Sequence, residues 1–378
     1  MSGQRVMVYV QHLLGIGHQM RAAAIVRAMQ SHGLAVVCVS GGEAGFMPDL
    51  GGARLIQLPP VRAADASFRT LLDGAGVEID DSWRDHRRDA LMRAFAECRP
   101  DVLLVESFPF GRWQFRFELI PLLQAARQAG VKAAVSVRDI LVAKNQPKRL
   151  AATVGILRDY FDAVLVHGDE SLVPFGATFG AASEIAELIA YTGYVAPDPP
   201  AVDPIGPGEG EVVVAAGGGA VGGALLRTAI DARPLSELAE APWRLITGPN
   251  LPAAERAALK PPAGITVEVL RDDYREVLAR AALSVSQAGY NTVMDILVSG
   301  ARAVLVPFSA GGETEQGLRA RLLAERGRVQ IVEEAGLSPE SLAAAVNRAA
   351  GGPPPAASDF ALDGARRTAR IIAAMTGK

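Results

Sequence analysis

Cysteine is nearly absent from this chain: two residues in 378, Cys38 and Cys98. That excludes a disulfide-stapled scaffold. Both thiols sit in apolar or helical runs, where free cysteine packs as a small hydrophobe, as in a reducing cytoplasm. Histidine is scarce too, five residues that all fall within the first 167, and no Cys/His group has zinc-site spacing. Neither sign of charge is in excess. Lys and Arg number 38 against 41 Asp and Glu, for a net charge of -3 and a pI near 6.0, which excludes a general nucleic-acid binder. No apolar run reaches the about 18 residues a bilayer span needs. The chain opens Met-Ser-Gly-Gln-Arg and passes at once into a strand pattern, so no signal peptide is expected.

What is present is a regular alternation. Short Val/Leu/Ile runs predict strands at 5–10, 34–40, 54–58, 101–105, 132–137 and 163–167, with helices at 18–31, 83–97, 114–129 and 147–160. Residues 63–81 read as a long polar loop. The segment 195–210 holds five prolines and three glycines and reads as a linker. Alternation then resumes, with strands at 211–216, 243–247, 265–270, 283–286, 303–307 and 329–332. Helices fall at 221–232, 252–259, 274–281, 292–299, 316–325 and 339–349, and a last one at 360–375 follows a second linker. Continuous apolar strands alternating with helices imply parallel sheets covered on both faces. The expectation is an α/β protein of two doubly wound, Rossmann-like domains facing a central cleft: 1–194, a linker 195–210, 211–350, and 351–378 as linker and terminal helix. Such sheets bind ligands at the carboxyl ends of their strands, so the cleft is the expected site.

Three motifs stand at strand ends. "LGIGHQMR" at 14–21 is a strand–glycine–helix junction; Gly15 and Gly17 allow close backbone approach, and the helix start beginning near His18 offers unpaired N–H groups to an anion. It is neither the G-x-G-x-x-G dinucleotide pattern nor a P-loop. "AAGGGAVGG" at 215–223 follows the first strand of the second domain, and Gly217, Gly218 and Gly219 there suit a phosphate or sugar touching the backbone. The third motif runs "SQAGYNTVMDILVSGARAVLVPFSAGGETEQ" from 286 to 316. It opens a helix, with Asn291 or Thr292 as cap, and puts Asp295 one turn beyond Thr292. There a carboxylate can accept both ribose hydroxyls while the helix start holds a diphosphate. Three consecutive strands of the first domain end in polar residues: Glu106, Arg138 with Asp139, and His167. The pair Asp272 and Asp273 reads as helix caps, so no metal site is expected.

On these residues the chain resembles the GT-B glycosyltransferases, in particular glycosyltransferase family 28, which adds N-acetylglucosamine in the synthesis of peptidoglycan lipid II. The resemblance implies a nucleotide-diphosphate sugar donor, UDP-linked, held by the second domain. It puts the diphosphate at Ala288, Gly289, Asn291 and Thr292 and the ribose on Asp295, an aspartate where the family has glutamate. The donor sugar falls on Glu315 and Gln316. It also implies a terminal helix crossing back to the first domain, and inversion at the sugar carbon. The first glycine loop ends in a histidine that matches His18. His18 or Glu106 is then the expected base, with Gly17 and the two helix starts stabilising the leaving diphosphate without metal or cofactor, and water excluded by closure about 195–210. Arg138, Asp139 and His167 are the acceptor-side candidates.

The same "GIGHQMRAAAIVRAM" stretch also resembles a nucleotide-sugar hydrolase of pseudaminic acid synthesis, which uses that histidine to activate water. Hydrolase or epimerase chemistry, or a non-catalytic nucleotide-sugar-binding subunit, therefore stay open. The acceptor is not legible: small molecule, glycan or lipid-linked. The expected location is the cytoplasm, peripheral at the inner membrane face if the acceptor is a lipid. The aromatic stretch Phe108, Phe110, Trp113, Phe115 and Phe117, beside Arg112 and Arg116, reads as core packing.

Overall fold

The computed structural model describes residues 3–13, 17–43, 48–64, 70–141, 146–218, 221–309, 314–355 and 360–377. The chain divides into two units, Met1–Val195 with Phe360–Lys378, and Ala196–Asp359.

In the first unit the apolar runs become strands β1 (Arg5–Val10), β2 (Ala35–Ser40), β3 (Arg54–Gln57), a short hairpin β4 (Val61–Ala63) and β5 (Leu71–Asp73), then β6 (Val102–Glu106), β7 (Lys132–Arg138), β8 (Ala163–His167) and β9 (Ile189–Tyr191). Helices α1 (Gly17–Ser31), α2 (Asp81–Cys98), α3 (Arg116–Gln128) and α4 (Pro147–Tyr160) connect them. Seven strands form one parallel sheet in the order β3-β2-β1-β6-β7-β8-β9. Val8 lies in register between Cys38 and Leu104, and β1 and β6 are buried on both faces, which is why their sequences are unbroken apolar runs rather than alternating ones. Each such Val or Leu contributes about 1.5–3 kcal/mol by leaving water. Cys38 and Cys98 are both free and buried.

The loop expected at 63–81 is in part a hairpin. β4 and β5 pair antiparallel, and Val61, Ala63, Leu71 and Ile79 are buried in the main core of the unit. Those four apolar side chains decide against a solvated loop; residues 65–69 lie outside the described residues. Asp80 then caps α2 by accepting from the Trp83 N–H at 2.7 Å.

The second unit repeats the design: β10 (Val212–Ala215), α5 (Gly223–Ala232), β11 (Trp243–Ile246), α6 (Ala253–Ala258), β12 (Ile265–Glu268), α7 (Tyr274–Arg280), β13 (Leu283–Ser286), α8 (Tyr290–Ser299), β14 (Ala303–Leu305), α9 (Glu315–Glu325), β15 (Gln330–Ile331) and α10 (Pro339–Gly351). Its six strands are parallel in the order β12-β11-β10-β13-β14-β15. A last helix, α11 (Gly364–Met375), belongs to the first unit, where Ala369 and Ile372 pack with Ile25, Val26 and Met29 of α1. Among the described residues no helix is long and apolar enough to cross a membrane.

In each sheet the strand order reverses once, between β1 and β6 and between β10 and β13. Loops leaving neighbouring strands part there, and ligands of doubly wound sheets bind at that point.

Candidate active site

At the reversal point of the first sheet, α1 begins at Gly17 and presents His18, and β6 ends on Glu106. His18 Nδ1 lies 2.7 Å from Glu106 Oε1. The same oxygen accepts from Arg21 Nη2 at 2.5 Å and from the Ser107 hydroxyl at 2.9 Å. Burial alone would raise the Glu106 carboxyl, but His18, Arg21 and Arg112 bring it well below the usual carboxylate range. Burial lowers His18 to about 4, against the opposing pull of Glu106. At neutral pH the pair is therefore carboxylate and neutral imidazole. Because the carboxylate can only accept, the imidazole proton belongs on Nδ1 and Nε2 keeps its lone pair. Glu106 is itself buried, and its Oε1 meets three donors, so the carboxylate is placed to hold the imidazole in one orientation.

His18 also lines a pocket of about 400 Å³ that runs over Ser107, Arg112, Trp113, Arg138 and Arg149. Two of its residues, Ser107 (φ 65) and Arg112 (φ 56), take left-handed backbone conformations without being glycine, an uncommon state that a well-determined surrounding must hold. Part of that surrounding is a network in which Tyr9, Gln11, Arg87 and Glu118 are fully buried. Arg87 donates to Glu118 at 2.8 and 3.0 Å and to Gln11 Oε1 at 2.6 Å, Tyr9 donates to Glu118 at 2.5 Å, and Arg112 Nε donates to the Gln11 carbonyl at 2.7 Å.

Two acceptor-side candidates are corrected. His167 is fully buried, with Nε2 at 2.6 Å from the Ser136 hydroxyl and Nδ1 at 2.8 Å from that of Thr192; burial lowers it to about 3. It is a neutral core histidine joining β7 and β8 to the turn after β9. Asp139 is likewise fully buried. Of the three, only Arg138 reaches the pocket.

In the second unit the loops after β10, β11 and β13 converge. Gly217 is left-handed (φ 73), and a Cβ on Gly248 would stand 2.0 Å from its carbonyl oxygen. Asn250 donates to the Gly218 carbonyl at 2.7 Å; Gly219 lies outside the described residues. A Cβ on Gly217 or on Gly289 would come within 3.9 or 4.0 Å of the Thr292 hydroxyl, so the two glycine motifs face each other across the start of α8. The helix cap is Gly289, with no side-chain hydrogen bond, rather than Asn291 or Thr292. Its first-turn N–H groups have no side-chain cap, the condition for holding an anion.

This helix start is held from beneath. Gln316 Oε1 accepts from the N–H groups of Ala288 (3.0 Å) and Phe308 (3.1 Å). Glu315, expected at the donor sugar, is instead buried and paired at 2.7 Å with buried Arg319, which donates to the Ala288 carbonyl at 3.3 Å and lies 5.3 Å from the Tyr290 ring centre. Spacing of four on α9 is what joins the pair. Asp295 is half-buried; burial raises its carboxyl to about 6, against the Arg275 charge, and among the described residues no side chain hydrogen-bonds it. Asp273 stands at the N-cap of α7 but makes no side-chain cap hydrogen bond; its carboxylate takes both arms of Arg271 at 2.7 Å. Among the described residues no three His, Cys, Asp or Glu side chains come together as a metal site.

Sequence reading missed Ser107, Arg149 and Arg319. Helical spacing to Glu315 was the available signal for Arg319; the other two had none.

This two-unit architecture is that of the glycosyltransferases. The calicheamicin glycosyltransferase CalG4 superposes with a TM-score of 0.62 at 17% identity, covering 99% of this chain and 95% of its own. MurG of Acinetobacter baumannii does so with 0.59 at 18%, covering 98% and 99%. Residues 212–359 match the family model of the glycosyltransferase family 28 C-terminal domain, so the second unit is similar to that domain. A UDP-N-acetylglucosamine--N-acetylmuramyl-(pentapeptide) pyrophosphoryl-undecaprenol N-acetylglucosamine transferase of Rhizobium johnstonii is 40% identical over 72 residues, 19% of each chain. The corresponding transferase of Rippkaea orientalis is 32% identical over 101 residues, 27% of this chain and 28% of its own. The matched stretch thus spans about a fifth to a quarter of these curated relatives.

Proposed function

We propose that the chain is an inverting, metal-independent glycosyltransferase using a nucleoside-diphosphate sugar, with UDP as the nucleotide. The observation that carries this reading is the uncapped start of α8 at Gly289, facing the Gly217 loop, with the raised, half-buried carboxylate of Asp295 one turn beyond Thr292. N–H groups of the first turn would meet the diphosphate, and Asp295 the two ribose hydroxyls. Both glycine loops bring backbone rather than side chains to the ligand, as a phosphate requires.

Transfer then needs a proton removed from the acceptor hydroxyl and negative charge stabilised on the leaving UDP. His18 Nε2 takes the proton, and the ionised Glu106 steadies the imidazolium that forms. The acceptor oxygen bonds to the sugar carbon as its bond to the diphosphate breaks, on the opposite face, so configuration inverts. Fixed N–H dipoles at α8 accept the growing charge without reorganising. The sequence likeness to the transferases of Rhizobium johnstonii and Rippkaea orientalis supports a nucleotide-sugar donor. The expected cytoplasmic location belongs to the same reading.

The test is calorimetric titration of UDP and UDP-N-acetylglucosamine, followed by an assay of donor consumption with and without acceptor candidates. Binding of UDP that survives in His18→Ala and is lost in Asp295→Ala supports the reading. Rapid donor hydrolysis that no acceptor diverts would identify a hydrolase, and tight binding without turnover under any acceptor a sensor.

A further inference from the structure

The pocket beside His18 has an unusual wall. Four guanidinium groups line it, those of Arg112, Arg116, Arg138 and Arg149, and among the described lining residues there is no carboxylate. In a chain with more acidic than basic residues, four like charges around about 400 Å³ are a standing repulsion. Burial lowers Arg112, against the opposing pull of Glu106 and with Arg138 and Arg21 adding to the effect, and burial lowers Arg149, with Arg116 adding.

These arginines are held in place. Arg112 Nε is tied to the Gln11 carbonyl at 2.7 Å and its backbone is left-handed (φ 56). Arg149 lies over the Trp113 ring, 3.8 Å from its centre, a cation–π arrangement that fixes a guanidinium plane. Strain and repulsion of this kind persist where a ligand relieves them. Guanidinium forks match the planar or tetrahedral oxygens of carboxylate and phosphate. Apolar side chains share the wall with the arginines, among them Phe110 and Phe179, edge to face at 5.0 Å. The aromatic stretch that reads as core packing does pack there: Phe108 and Phe115 are core, and Phe110 and Trp113, packed against it, also line the pocket.

We propose that this pocket is the acceptor subsite and that it takes an acceptor carrying a phosphate or carboxylate on an apolar body, delivering its hydroxyl to His18. The anion lies among the arginines, and the apolar body against Phe110 and Phe179. Seated beside Arg112, it offsets one of the charges that hold down the basicity of His18, so the base is strengthened when the acceptor is in place. The assignment of an acceptor rests on the transferase reading; the anion site does not.

The experiment uses the full chain and four probes in low-salt calorimetry: phenyl phosphate, benzoate, neutral benzyl alcohol and dodecyl phosphate. Phenyl phosphate is expected to bind at least about tenfold more tightly than benzyl alcohol. Arg149→Ala and Arg138→Met are each expected to weaken it by about 10–100-fold, the scale of a charge-assisted hydrogen bond. Arg149→Lys, which keeps the charge and loses the fork, falls between. UDP affinity should stay at the wild-type value in all three variants, and saturating UDP should leave the phenyl phosphate isotherm unchanged. Tighter binding of dodecyl than of phenyl phosphate assigns the apolar body to a lipid tail, the reverse to a ring; either order supports the proposal. Equal binding of anion and neutral probe, or an anion isotherm indifferent to both Arg149→Ala and Arg138→Met, overturns it. So does displacement of phenyl phosphate by UDP, which would make the pocket part of a donor site. If phenyl phosphate binds and UDP does not, the transferase reading fails alone; if UDP binds and phenyl phosphate does not, the subsite fails alone.

Discussion

His18 Nδ1 and Glu106 Oε1 meet at 2.7 Å across 88 residues of sequence. One stands on the first turn of α1 and the other on the last residue of β6, so the contact exists only because those segments leave adjacent strands at the point of reversal. Its chemical content is a fixed tautomer.

Losing the base should cost turnover and spare binding. His18→Ala is expected to lower kcat by about 10²–10⁴-fold with UDP affinity unchanged. Glu106→Gln should lower kcat as well, because an amide cannot balance an imidazolium. Since His18 is neutral above about 4, its protonation should leave the rate level between pH 8 and 5 and reduce it below. Rate–pH profiles of both variants check this; a wild-type rate in His18→Ala removes the histidine from the chemistry.

Asp295 should show opposite signs for binding and stability. Its carboxyl sits near 6 in the folded chain, raised by burial, above the ordinary value of about 3.9. The folded state therefore holds that proton more tightly than the unfolded state. Ionisation costs stability above pH 6, and the cost vanishes as pH falls below about 4. Asp295→Asn should thus gain about 1–3 kcal/mol at pH 8, a few degrees in Tm, and almost nothing at pH 4. The same substitution should weaken UDP binding, and wild-type affinity should decline from pH 7.5 to 5 as the carboxylate protonates. Thermal melts at the two pH values, with titrations beside them, decide; a Tm indifferent to the substitution at pH 8 would remove the buried charge from the account.

Glu315 supports the start of α8 from below, through Arg319. Glu315→Ala leaves the Arg319 guanidinium buried without this partner and is expected to cost about 3–5 kcal/mol. UDP affinity should fall with it, because Arg319 bears on Ala288 and Tyr290. Replacing both, Glu315→Leu with Arg319→Met, should recover part of the stability, since neither member of this pair is then left buried without the other. Denaturant midpoints measure this; a double variant no better than the single would refute the pairing argument.

Donor turnover should survive exhaustive chelation. The proposed stabilisation of the leaving diphosphate comes from backbone N–H groups at helix starts, which no chelator removes. Loss of activity restored by Mg²⁺ or Mn²⁺ would assign that task to an ion.

Much of the fold is legible because parallel strands buried on both faces write themselves as unbroken apolar runs. β1, β8 and β13 begin and end where their runs do. β9 was missed because three half-buried residues, Ile189 to Tyr191, make too short a run. The β4–β5 hairpin hides because its core residues are separated by polar ones whose periodicity is that of neither helix nor strand. For the site, glycine loops and strand-end charges announce themselves locally, so His18, Glu106 and Asp295 stand out. Their partners do not. Nothing in "ESFPFGR" tells that Glu106 holds Arg21, and nothing near 149 tells that its guanidinium covers Trp113. Such pairings are set by which strands lie side by side, a property of the whole sheet.

The position of α11 bears on how the chain is made. The helix covers Ile25, Val26 and Met29 of α1, and the Tyr194 N–H donates to the Ala361 carbonyl at 2.7 Å. Yet residues 196–359, the whole second unit, are synthesised before it. At about 5–20 residues per second the ribosome needs roughly 10–30 s for them. Through that interval the nascent first unit carries an uncovered apolar face, a surface for chaperones to hold, and the part of the protein translated first is the last to be finished.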